Sequence, residues 1–229
     1  MGTLLTLRRK WAATALAATG LLAGCETECV PRQRVLALDA PYNQFFSRAP
    51  ACTFTTAPSV AASSSTGLTD SFSGCLNIGQ NYLEASTTSC ETVSGERRSI
   101  YAFASLYGYS FTAQVAQLPD GPELQLRDQS AASGAPYATL TYRFADGQAQ
   151  ATYLDVRTNT TVPFAQPPVV TELTNFASGT RTYAQVWRIT NPLNAAQGRA
   201  TAATVFYLDR DYGLIRFEQR DGTIWSLLL

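Results

Sequence analysis

From Ile100 to Leu229 the chain alternates residue classes with a period of two, interrupted at short intervals by Gly, Asp, Asn and Pro. No long segment repeats at 3.6 residues, so strands are the expected building blocks. In Ile100–Phe111 the odd positions Tyr101, Phe103, Tyr107, Tyr109 and Phe111 are aromatic, while Ile100, Ala102, Ala104 and Leu106 are small or aliphatic. This predicts one long strand, or two with a kink at Gly108. In Tyr137–Phe144, Ala138, Leu140, Tyr142 and Phe144 share one phase, as in a half-buried strand. Asp146-Gly147 then turns the chain into Gln148–Arg157, which predicts a hairpin. Further strands are expected over Thr180–Thr190, Ala203–Leu208, Gly213–Glu218 and Thr223–Leu229. Asp221-Gly222 marks the last hairpin and puts Ile215, Phe217, Trp225 and Leu227 in one phase, a core face. The final strand is expected inside a sheet. The fold class is therefore mainly β and antiparallel, a sandwich or half-barrel, over residues 96–229.

The preceding stretch, residues 25–95, is expected to be loop-rich. Ala61–Gly67 is Ser-rich with nothing to bury, and Gln33–Phe46 suits a strand followed by a short helix. Cys29, Cys52, Cys75 and Cys90 all fall here. In an oxidising compartment an even set of cysteines reads as two disulfides. Three connectivities are open; loop-closure entropy favours Cys75 with Cys90 and Cys29 with Cys52. Metal binding is the competing use, and the spacing lacks the Cys-x-x-Cys pair of zinc sites.

The first 24 residues have the layout of a secretory leader: Arg8, Arg9 and Lys10, then an apolar segment from Trp11 to Leu22. A bilayer span needs about 20 apolar residues, more than this segment offers. Leu21-Leu22-Ala23-Gly24-Cys25 resembles a bacterial lipobox, in which diacylglycerol is joined to the cysteine sulfur and the leader removed. The competing reading is an ordinary signal peptide with Cys25 as a further structural cysteine. With a lipobox the mature chain begins at Cys25, and the acyl groups, contributing about 0.8 kcal/mol per buried methylene, are its membrane partner and its only expected cofactor-like group. Glu26 in place of Asp after that cysteine resembles the sorting pattern for the outer membrane, on its periplasmic or surface face.

Composition then removes mechanisms. The chain has no His, and its one lysine, Lys10, lies in the leader. Serine–histidine and cysteine–histidine nucleophile pairs, histidine-ligated metals and Schiff-base chemistry are thereby excluded from the mature protein. Removing Arg8, Arg9 and Lys10 from the 17 basic residues leaves 14 arginines against 17 acids. With no basic stripe, nucleic acid is not an expected partner.

Gly179-Thr-Arg-Thr-Tyr183-Ala-Gln-Val186-Trp187-Arg-Ile189, then Val205-Phe-Tyr207, Tyr212-Gly213-Leu214-Ile215-Arg-Phe217 and Asp221-Gly222-Thr-Ile-Trp225-Ser-Leu227, resemble the C-terminal end of Bacteroidota membrane-anchored lipoproteins. The resemblance covers roughly the last fifty residues and rests on packing and turn positions. It implies a lipoprotein with a terminal hairpin and implies no activity. Tyr183 and Val186 occupy opposite strand phases, so a bulge is expected between them.

Candidate sites remain few. The stripe Tyr101, Phe103, Tyr107, Tyr109 and Phe111 reads either as the inner face of a sandwich or as a sugar-stacking platform. Asp209-Arg210-Asp211 reads as turn chemistry or as a carboxylate pair for a cation. Glu218 and Asp221 read as edge charges rather than a glycosidase pair. Arg97-Arg98 reads as a solvated strand start. The chain is therefore expected to be a non-enzymatic, lipid-anchored envelope protein that binds a protein or glycan partner or serves a structural role. The alternative is a glycan-binding surface lipoprotein or a carboxylate-dependent glycan hydrolase.

Overall fold

A computed structural model describes residues 32–48, 53–56, 71–73, 75–87, 91–104, 108–130 and 137–228. The expected leader, Cys25, Cys29, Cys52, Cys90 and Tyr107 lie outside these residues, and with them the lipidation and disulfide expectations. Cys75 is placed by its backbone alone, at the start of a strand.

The described chain is mainly β, in two sheets. The larger, eight-stranded sheet has the order β1 (Arg32–Leu36), β5 (Glu91–Ala104), β6 (Tyr109–Leu118), β7 (Gly121–Asp128), β8 (Ala138–Arg143), β9 (Ala149–Asp155), β10 (Thr160–Pro163), with β4 (Cys75–Thr87) also paired to β5. The smaller, seven-stranded sheet runs β11 (Val170–Ser178), β12 (Arg181–Thr190), β13 (Ala203–Asp209), β14 (Gly213–Gln219), β15 (Ile224–Leu228), β2 (Thr53–Thr56), β3 (Ser71–Ser73). From β5 to β10 and from β11 to β15 each strand pairs antiparallel with the next. β1 on β5 is parallel.

The expected hairpins are present. Gly147 and Gly222 take φ of +69° and +88° in their turns, conformations that a side chain disfavours. Ile215, Phe217, Trp225 and Leu227 are all buried, and β15 sits between β14 and β2, inside its sheet. The sheets meet through aromatic rings: Tyr109 and Phe111 of β6 pack on Phe217, with centroids 5.3 and 5.2 Å away, and Phe217 stacks on Trp225 at 6.0 Å. At another part of the core, the 3-10 turn Tyr42–Gln44 delivers Phe45 onto Trp187 at 5.2 Å.

The N-terminal stretch departs from its loop-rich expectation. It supplies β1 and β4 to one sheet and β2 and β3 to the other. β4, CLNIGQNYLEAST, pairs along β5 from Cys75–Ala102 to Thr87–Thr92. Arg97-Arg98 is likewise not a strand start: β5 begins six residues before Arg97, at Glu91.

Candidate functional site

The aromatic stripe divides at the β5–β6 turn. Ala102 pairs with Phe111, and Tyr101 pairs with Thr112, so odd residues of β5 share a face with even residues of β6. Tyr109 and Phe111 are 5 % and 2 % exposed and lie between the sheets. Tyr101 is on the other face, its hydroxyl bonded to Ser110 Oγ at 2.9 Å. Phe103 is placed by backbone only, two residues beyond Tyr101 in β5. Of the two readings of the stripe, the inner face of a sandwich holds for Tyr109 and Phe111, while Tyr101 lies on the opposite face of the sheet.

The expected bulge near Tyr183 is also replaced by another device. The β11–β12 register is constant from Val170–Ile189 to Ser178–Arg181 except at the skipped position of Asn175 and Ala184, and Asn175 has φ +53°. The pairing is interrupted there, and the left-handed Asn175 turns the strand. Beyond the bend the hairpin folds over the outer face of the smaller sheet: Phe176 stacks on Tyr207 at 4.9 Å, Arg216 lies over the Phe176 ring at 5.8 Å, and Ser178 Oγ reaches Ser226 Oγ at 3.4 Å. Gly179, with φ +60° at the first loop position, lets the hairpin close with two residues.

On its other side this part of β12 forms a cleft with the β13–β14 turn, of about 270 Å³. Arg48, Arg181, Arg210, Gln185, Asp211 and Tyr212 are among its lining residues. Arg48 is brought in by two backbone bonds, Phe46 N–H to Arg210 O at 2.7 Å and Arg48 N–H to Asp211 O at 3.0 Å. Arg181 lies over the Tyr212 ring at 4.8 Å, and Tyr212 packs edge-on against Tyr183. Asp211 faces Arg210 Nε at 3.1 Å and Arg48 Nε at 3.9 Å.

Asp209 behaves as turn chemistry requires. Its Oδ1 accepts from the N–H groups of Asp211 and Tyr212 at 2.8 and 2.9 Å. Burial raises its pKa above the usual carboxylate value, and those same N–H bonds act in the opposite direction. Burial likewise raises the Tyr183 hydroxyl, against the lowering charge of Arg181.

Other carboxylates are also engaged. Glu96 accepts from Leu38 N–H at 3.1 Å. Glu218 accepts from Tyr207 OH at 2.8 Å and pairs with Arg216 Nη2 at 2.6 Å on the outer face. Asp221 accepts from Thr223 N–H in its turn, so it and Glu218 have separate duties. Asp128 accepts from Ser130 N–H at 3.0 Å and Asn194 Nδ2 at 2.7 Å. A second depression, of about 250 Å³, lies against β7, β8 and β9 with Arg127, Tyr137 and Tyr153 in its lining. Among the described residues no group of three or more Cys, Asp or Glu side chains is placed to hold a metal, and no helix is long and apolar enough to cross a membrane.

Sequence reasoning found Asp209-Arg210-Asp211 and missed the cleft around it. Arg48, Arg181 and Arg210 lie far apart in the chain, and only the β13–β14 turn brings them together. No family model, curated protein or solved structure matches the chain.

Proposed function

We propose that this chain is a cell-envelope lipoprotein, anchored through acyl groups on Cys25, whose two-sheet domain binds a ligand or partner without catalysing a reaction. The observation that carries the reading is the division of labour among its polar groups. Asp128, Glu96 and Glu218 hold backbone, amide, hydroxyl and guanidinium groups of the fold, and the two carboxylates that line the cleft beside its three arginines are also engaged, Asp209 by backbone N–H groups and Asp211 by Arg210 and Arg48. Donors in a shallow cleft bind; hydrolysis of a glycoside needs two carboxylates facing each other across the bond. The anchor rests on Leu21-Leu22-Ala23-Gly24-Cys25 behind its basic leader. Disulfides among Cys29, Cys52, Cys75 and Cys90 belong to the same reading, since an exported chain meets oxidising conditions.

Expression of the full chain in a diderm bacterial host fed an alkyne fatty acid tests the anchor. The expected result is label on the wild type in the outer-membrane fraction and none on Cys25→Ser. The same purified protein, incubated with envelope polysaccharides, is expected to release no new reducing ends. Release that vanishes on a carboxylate-to-amide substitution would establish the hydrolase alternative instead.

A further inference from the structure

We propose that the cleft between β12 and the β13–β14 turn is an oxyanion subsite, taking a carboxylate or phosphate carried on one sugar-sized ring. The inference rests on the binding reading above and names the ligand class of its site. Guanidinium groups of Arg48, Arg181 and Arg210 arrive from three separate segments on one cleft, in a mature chain that is acidic as a whole. Asp211 is the carboxylate paired there, shared between Arg210 and Arg48, and Asp209 spends one oxygen on two backbone N–H groups. Arg181 is held over Tyr212 rather than by a carboxylate in any ion pair of the described residues. Its donors therefore stay available.

Arginine is the side chain suited to this recognition. Its planar fork of N–H donors matches the oxygens of a carboxylate or phosphate, and it keeps its charge at any physiological pH. The cation–π contact with Tyr212 restricts the guanidinium before a ligand arrives, which lowers the ordering cost of binding. Thr182 adds a hydroxyl for the ring, and Gln185, whose Nε2 donates to Glu172 at 2.7 Å, adds its amide oxygen as an acceptor. At about 270 Å³ the cleft falls below the range of about 300–1,000 Å³ typical of drug-sized ligands, so its occupant is a single ring rather than an extended chain.

Calorimetric titration of the detergent-purified full chain with glucuronate, glucose 6-phosphate and glucose tests the assignment. One or both anionic sugars are expected to bind with Kd below about 10 mM, glucose to bind at least tenfold more weakly, and Arg181→Gln and Arg210→Gln each to weaken the anion by about tenfold. Glucuronate alone points to acidic glycans as the source, and glucose 6-phosphate alone to phosphorylated envelope sugars. Arg157→Gln, in the exposed β9–β10 turn, serves as the control and is expected to leave binding unchanged. Circular dichroism of each variant separates lost binding from lost fold. Equal binding of glucose and the anions, no binding by either anion, or folded Arg181→Gln and Arg210→Gln variants that bind as wild type would overturn the proposal. Hydrolysis of a bound sugar derivative would overturn the non-catalytic reading and leave the subsite standing.

Discussion

Asn194 Nδ2 donates to Asp128 Oδ2 at 2.7 Å, and this bond joins the two sheets. Asp128 ends β7 of the larger sheet, and Asn194 belongs to the short helix α1 (Pro192–Gln197), which connects β12 to β13 of the smaller one. The same amide also donates to Ala203 O at 2.9 Å, and Asn191 caps α1 by accepting from Asn194 N–H. Asp128 is 1 % exposed and has no ion-pair partner among the described residues. Burial raises its pKa above the usual value, against the lowering effect of the Ser130 and Asn194 bonds.

A pH-dependent stability follows. A carboxyl whose pKa is raised by folding contributes stability that is complete below its unfolded pKa of about 3.9 and is lost as pH rises through the folded value. Asp128→Asn does not titrate. The stability of the wild type relative to Asp128→Asn is therefore expected to be greatest at acid pH and to fall as pH rises, read from urea midpoints across that window. Asp128→Ala strands the Ser130 and Asn194 donors and is expected to cost about 3 kcal/mol at acid pH, and less as pH rises, because alanine does not titrate either.

Gly95 gives a steric prediction. A Cβ there would overlap the carbonyl oxygen of Gln117, a backbone atom of the neighbouring strand that cannot rotate away. Gly95→Ala is expected to lose about 3 kcal/mol or more. Gly222→Ala isolates the other cost of replacing glycine: φ is +88° with nothing within 4 Å of the added methyl, so about 1–2 kcal/mol is expected. Chemical denaturation of the pair should rank them in that order.

The core face Ile215, Phe217, Trp225 and Leu227 was legible because the Asp221-Gly222 turn fixes the phase of both flanking strands. The stripe from Tyr101 to Phe111 was legible as core only in its second half, because residue parity carries across a continuous strand but not from β5 to β6, where Tyr101 pairs with Thr112. β4 was hidden because its alternation, with Leu76, Ile78 and Tyr82 in one phase, is broken by Gly79 and Gln80, and its pairing with β5 shifts register at Asn77/Gly79 and Glu84/Ser86. The Asp209 turn could be read locally, because an aspartate that accepts from N–H groups two and three residues on is a short-range feature. The cleft could not. Arg48, Arg181 and Arg210 meet only through tertiary contacts.

Phe217 and Phe176 test the two layers of packing on the smaller sheet. Phe217 is fully buried against Tyr109, Phe111 and Trp225, and Phe217→Ala is expected to cost about 3–5 kcal/mol. Phe176 is half-buried on the outer face, stacked on Tyr207 under the folded-over hairpin. Phe176→Ala is expected to cost about 1–2 kcal/mol, from lost area and the ring pair together. Urea titrations followed by tryptophan fluorescence measure both. Equal costs would show that the hairpin belongs to the core.

Asn175 links that hairpin to the cleft. At φ +53° it occupies the left-handed region, which asparagine and glycine tolerate and β-branched residues resist. Asn175→Gly is expected to keep or slightly raise stability, and Asn175→Val to lose about 1–2 kcal/mol. The interruption also places Arg181 toward the β13–β14 turn, since the skipped Asn175–Ala184 position separates Arg181 from the part of β12 paired with β13. Straightening the strand there would draw Arg181 away from Tyr212. Asn175→Val is thus expected to weaken binding of the anionic sugar as well as stability, while Asn175→Gly leaves binding near wild type. A folded Asn175→Val that binds normally would show that the cleft is set by the β13–β14 turn alone.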